Sequence, residues 1–140
     1  VNSLMDRPGV RDAGLLLLRV VTGVIMVAHG WKKLVVDGID ATTRAFEAAG
    51  VPQPGMSAWG VSIVEMLGGA LVVVGLLTPA AAGVLALDML AALYLVHLHN
   101  GLFVADGGME LVLLLATAFV VLVVFGAGRA SLDRALSRFG

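Results

Sequence analysis

Apolar residues in this chain do not alternate with polar ones; they run in four long blocks, residues 13–34, 59–77, 80–98 and 109–125. Each block approaches the length an α-helix needs to cross a hydrocarbon core of roughly 30 Å at about 1.5 Å of rise per residue. The last is short and is expected to gain a turn at each end. A membrane β-barrel is excluded, because its strands alternate in polarity over segments of about ten residues. Thr78 and Pro79 leave almost no loop between the second and third blocks, which makes these helices antiparallel neighbours, with Pro79 in the first turn of the third.

The one sizeable loop, residues 35–58, carries its own helical signal. Asp40 is a candidate N-cap, residues 41–49 fit a short helix, and Gly50 with Pro52 ends it. Phe46 and several alanines lie opposite Arg44 and Glu47, as in an interfacial helix or a lid. The segment after residue 125, Gly126-Ala127-Gly128-Arg129-Ala130-Ser131-Leu132-Asp133, is a polar, basic exit. No internal repeat is present. The predicted fold is all-α: one domain over residues 1–140, an integral membrane four-transmembrane-helix bundle with a short interfacial helix in its first loop.

Composition agrees: 59% of the 140 residues are hydrophobic and 14% charged, with a mean hydropathy of +1.00. A formal net charge of −1 leaves no basic footprint for nucleic acid. The absence of cysteine removes disulfides, thiolate catalysis and thiolate metal sites. Arg7 and Arg11 precede the first block as in a secretory signal, but that block is too long and contains Arg19, so it reads as a retained span. Arg7, Arg11, Arg129, Arg134 and Arg138 lie on the side holding both termini, against Lys32, Lys33 and Arg44 on the other. The excess favours cytoplasmic termini.

Charges inside the spans carry the functional signal, since one near a helix centre costs about 2.5–3.5 kcal/mol on insertion scales. Arg19, Glu65 and Asp88 are the deep ones. Counted from the block centres, Arg19 and Asp88 fall on the terminus-bearing side of the midplane and Glu65 on the other. Arg19 is therefore expected to pair with Asp88, with a stem long enough to turn toward Glu65. A structural network fixing helix register competes with a functional one. A second group, His29, Lys33, Glu65, His97, His99 and Glu110, is brought by up-down connectivity to the outer half. There it would line a cavity able to hold a polar head group or pass protons, unless the residues at helix ends simply meet the lipid head groups. His97 and His99 point nearly opposite ways on an intact helix, and helical spacing puts His99 on the Asp88 stripe. No diagnostic metal-ligand spacing is present, and bis-histidine haem b is no better supported.

The same residues carry a likeness. Arg19-x-x-x-Gly23, His29-Gly30-x-x-Lys33-Leu34, Glu65-x-x-Gly68-Gly69 and Gly75-Leu76-Leu77-Thr78 occur in order. They are followed by His97-x-x-Asn100-Gly101-x-Phe103, Gly107-Gly108-x-Glu110 and Gly126-x-Gly128-Arg129-x-Ser131-Leu132-Asp133. No single motif is specific, but the ordered set, covering nearly the whole chain, resembles the DoxX family of bacterial membrane proteins. The resemblance implies a four-helix protein of the DoxX/DoxD-like group, whose relatives include a subunit of a thiosulfate:quinone oxidoreductase, although most members have no assigned reaction. It favours His97 over His99, which requires the third helix to unwind or rotate near its end. Ala127 and Ala130 depart from it, standing where Pro and an aromatic residue are expected, and Asp88 lies outside the pattern.

Three functions are therefore expected in order. The first is a redox-associated subunit of the bacterial plasma membrane, binding a quinone or similar lipid-soluble ligand and exchanging protons through Glu65, His29 and a histidine of the third span. The second is a non-enzymatic anchor or assembly subunit for a soluble or membrane redox enzyme, in which Gly68, Gly69, Gly75 and the alanines of the third span allow close helix contact, within the chain or in a homo-oligomer. The third is a small-molecule or proton pathway, which needs an oligomer.

Overall fold

The computed structural model describes residues 3–138, and among them there are helices and no strands. Helix α1 (Pro8–Trp31) runs into a π-helical turn (Lys32–Val36), followed by α2 (Ile39–Ala48) and α3 (Pro54–Val74). Next come α4 (Thr78–Ala92), a second π-helical turn (Leu93–His97) and a 3-10 turn (Leu98–Asn100). After a short loop come α5 (Glu110–Phe125) and α6 (Leu132–Ser137). Three of these segments, Pro8–Val36, Pro54–Val74 and Thr78–Asn100, are long and apolar enough to cross a membrane. The fourth apolar helix, α5, does not gain the turns expected of it. Met109 and Gly126 bound its 16 residues, and Gly126 at φ 76° stops it, leaving a length of about 24 Å.

Boundaries shift elsewhere for identifiable reasons. Pro54 starts α3 a full turn before residue 59, at a position where its missing N–H costs nothing. Gly75, at φ 73°, ends it. The turn between α3 and α4 is thus Gly75–Leu77, and Thr78-Pro79 already belongs to α4. Gly38, not Asp40, precedes α2, and Asp40 sits in its first turn.

Packing follows small residues. A Cβ on Gly23 would lie 2.6 Å from the Gly69 carbonyl oxygen, and one on Gly30 would lie 2.6 Å from that of Ser62. Helices α1 and α3 therefore meet backbone to backbone, as helices do where lipid supplies no hydrophobic drive between them. On α3, Gly68 accepts the Leu85 side chain of α4. α5 closes on α4 and touches α1. Met26, Val72, Leu85, Met89, Phe119 and Leu122 fill the interior. Leu17, Leu67, Leu87, Leu114 and Val124 point outward, giving the molecule an apolar exterior suited to lipid.

Candidate functional site

Toward the ends of α1 and α4 remote from the Gly75–Leu77 turn, the helices enclose a cavity of about 590 Å³. Its walls are mainly apolar, with Met26, Val61, Met89, Leu95, Leu111 and Leu115 among them, and Phe46 of α2 with Val51 and Pro52 covers one side. The α2 segment is held there by Thr42, whose hydroxyl donates to the Lys33 carbonyl at 2.7 Å. Into this apolar chamber project five titratable side chains: His29, Lys33, Glu65, Asp88 and His97.

Lys33 Nζ donates to Glu65 Oε1 at 2.7 Å, and Glu65 is 2% exposed. The Asp88 carboxyl is set against that of Glu65 and within the field of Lys33. Its Oδ2 is buried and has no hydrogen-bond partner among the described residues. Two carboxyls thus face one ammonium. The expected pairing of Arg19 with Asp88 is not formed, for a reason of register. Helices α3 and α4 fold back about the Gly75–Leu77 turn, so Glu65 and Asp88, each about ten residues from it, come to the same level. Arg19 instead lies level with the end of α3, some eight residues or about 12 Å from Glu65.

There Arg19, 1% exposed, spends its guanidinium on backbone. It donates to the carbonyls of Val72 at 3.1 Å, Val73 at 3.0 Å, Ala127 at 2.6 Å and Ala130 at 2.9 Å. These carbonyls belong to a helix end and an irregular exit; that of Val72 also accepts from Gly75 N at 3.2 Å. Asp133 completes the clasp, accepting from Leu77 N at 2.6 Å and Thr78 N at 2.8 Å, so that it caps α4 from across the chain. Arg129 pairs with Asp12 at 3.1 Å.

The two imidazoles share one arrangement. His29 Nδ1 lies 2.7 Å from the Ile25 carbonyl oxygen and His97 Nδ1 lies 2.8 Å from that of Gly107. A carbonyl only accepts, so Nδ1 is the donor in each, and in the neutral form of such a ring the lone pair lies on Nε2. His97 reaches the cavity because the π-helical turn inserts one residue into the α4 stripe. On the cavity side Ala92 is followed by Leu95, Val96 and His97, and His99 is left exposed outside the cavity. Such turns are frequent at functional sites, and the one at Lys33 stands on the opposite wall.

Glu110 is also outside the cavity: its carboxylate accepts from Val104 N at 2.9 Å. It belongs with the loop that aims His97. Asn100 Nδ2 donates to the Gly107 carbonyl at 3.3 Å, and a Cβ on Gly108 would strike the Leu102–Phe103 backbone at 2.5 Å. Of the six outer-half candidates, the structure brings together four, His29, Lys33, Glu65 and His97, and adds Asp88. Among the described residues no cluster of three or more His, Asp or Glu side chains is arranged to hold a metal.

A family model, DoxX, matches residues 14–98, which include both cavity histidines and the carboxyl pair. The protein named "Putative oxidoreductase CatD" of Bacillus subtilis (strain 168) is 32% identical over 111 residues, 79% of each chain. Inner membrane protein YqjF of Escherichia coli (strain K12) is 30% identical over 131 residues, 91% of this chain and 95% of its own. The uncharacterized membrane protein Rv3486 of Mycobacterium tuberculosis (strain H37Rv) is 33% identical over 136 residues, 89% and 82% of the two chains. No solved structure matches the chain at a comparable level. With its apolar helices, its ordered motifs and relatives matched along most of their length, this chain is a membrane protein and belongs to the DoxX family.

Proposed function

We propose that the chain is a redox-associated integral membrane subunit that binds a quinone-like, lipid-soluble ligand in the cavity between α1, α3, α4 and α5. The observation that carries this reading is the meeting of Lys33, Glu65, Asp88 and two Nε2-free imidazoles in an otherwise apolar chamber. Sites for small organic ligands have this make-up: apolar walls, a few convergent polar groups, and a volume of about 300–1,000 Å³. Reducing a quinone takes two electrons and two protons. Lys33 and a protonated member of the carboxyl pair can donate to a quinone carbonyl oxygen, while the histidine Nε2 atoms can accept from hydroquinone hydroxyls. The electrons come from a partner oxidoreductase; the name of the Bacillus relative supports this setting.

In this reading α5 is a fourth crossing of the bacterial plasma membrane, short but bounded by polar turns, and the chain forms a four-helix membrane bundle. Both termini lie on the cytoplasmic side, because the end where Asp12 meets Arg129 carries the larger share of arginines. A second reading, a non-enzymatic anchor or assembly subunit, is favoured by the Arg19 clasp and the glycine contacts, which show buried polar groups and small residues acting in packing. Extraction in mild detergent, followed by mass spectrometry and a visible absorption spectrum, separates the two. A retained quinone, lost on Glu65→Gln while the protein stays folded, supports the ligand site; a colourless, ligand-free protein carrying a soluble enzyme supports the anchor.

A further inference from the structure

The cavity does not end at its wall of α3 and α4. Gly68 meets Leu85 where these helices touch. A second recess of about 410 Å³ opens between them, lined by Ser57, Gly60, Val61 and Val64 of α3 and by Val84, Leu87 and Asp88 of α4. Positions 57, 60, 61 and 64 form one helical face and 84, 87 and 88 another, so two stripes look at each other across a cleft. Ser57, Val61 and Asp88 line both the cleft and the cavity. Leu87, 68% exposed, stands at the outer edge, and a Cβ on Gly60 would meet nothing within 4 Å. The cleft therefore leads from the surface that faces lipid to Asp88, which lines the cavity as well.

We infer that the α3–α4 cleft is the lateral portal of the site, through which an amphiphile enters from the bilayer and out of which its long apolar tail trails while its polar head sits among Glu65, Asp88, Lys33 and the imidazoles. This rests on the proposed ligand site and narrows its substrate class to quinones with a long isoprenoid tail. A chamber of about 590 Å³ accommodates a ring head group, and a tail of many isoprenoid units has to leave it. On the opposite side α1 and α3 are sealed by the Gly23–Gly69 and Gly30–Ser62 contacts, whereas Gly60, about 7.5 Å beyond Glu65 along α3, leaves the α3–α4 wall open. Val61, Val64, Val84 and Leu87 offer the tail an apolar lining continuous with lipid.

The portal is tested by filling it from either wall, with Gly60→Phe on α3 and Leu87→Trp on α4, in protein reconstituted in nanodiscs. A long-tailed menaquinone and tail-less menadione serve as probes in equilibrium binding. The expected result is a loss of menaquinone affinity of at least about tenfold in both variants, with menadione affinity held within about twofold. Menaquinone binding unaltered in both variants, alongside normal menadione binding, overturns the portal and leaves the site standing. Equal weakening of both probes also overturns it, because the damage is then not specific to the tail. If neither probe binds the unsubstituted protein, the ligand site itself fails and the portal falls with it.

Discussion

The two ends of this small molecule treat buried charge in opposite ways. At the closed end the buried charges are committed to backbone: Arg19 donates to four carbonyls and Asp133 caps α4 with both oxygens, while the Thr78 hydroxyl has no hydrogen-bond partner among the described residues. At the cavity end two imidazoles turn Nδ1 to a carbonyl, and Asp88 keeps an oxygen without a partner among the described residues. Buried polar groups are normally satisfied, and each exception asks for a reason. Charges committed to backbone make a structural clasp at one end; the unpartnered carboxyl oxygen at the other is what the proposed ligand site rests on.

Substitutions at the two ends should separate along the same line. The largest effect is expected from Arg19→Met, which leaves four carbonyls without their donor; it should lower stability by about 3 kcal/mol or more and sharply reduce the yield of folded protein in detergent. Gly69→Val should come next, forcing α1 and α3 apart at a cost of about 2–3 kcal/mol, read as a fall in the thermal unfolding midpoint. Asp133→Asn weakens the cap on α4 by about 1 kcal/mol and should leave quinone binding intact. Glu65→Gln should change stability least, by within about 1 kcal/mol, because Asp88 remains as counter-ion to Lys33. Its binding of a quinone analogue should nevertheless fall by at least about tenfold, measured by equilibrium titration. A stable Arg19→Met protein, or a Glu65→Gln protein that unfolds, would erase the contrast between the ends.

The apolar blocks made the three long apolar helices legible, and their connectivity brought His29, Lys33 and Glu65 to one chamber with His97. What stayed hidden has physical causes. Asp88 was referred to the wrong side because block centres are poor rulers of depth; the short turn at Gly75–Leu77 sets the register of α3 against α4 directly. The partners of Arg19 are carbonyls, which no residue pattern announces. Helical periodicity at 100° per residue picks His99, and only the π-helical turn of Leu93–His97 reverses that choice. Glu110 looked like a cavity carboxylate and is a loop cap. The motifs around residues 100–110 carried a family likeness, but their service, aiming His97 through the Gly107 carbonyl, is visible only in three dimensions.

That π-helical turn is, in genetic terms, one codon more than an unbroken helix requires. Deleting exposed Tyr94 would bring the imidazole to four residues after Ala92, where an ordinary helix keeps it on the same face. The bulge absorbs the added residue and leaves the chamber's histidine in phase. An in-frame triplet can therefore be lost or regained at this point of the chain without disarming the site.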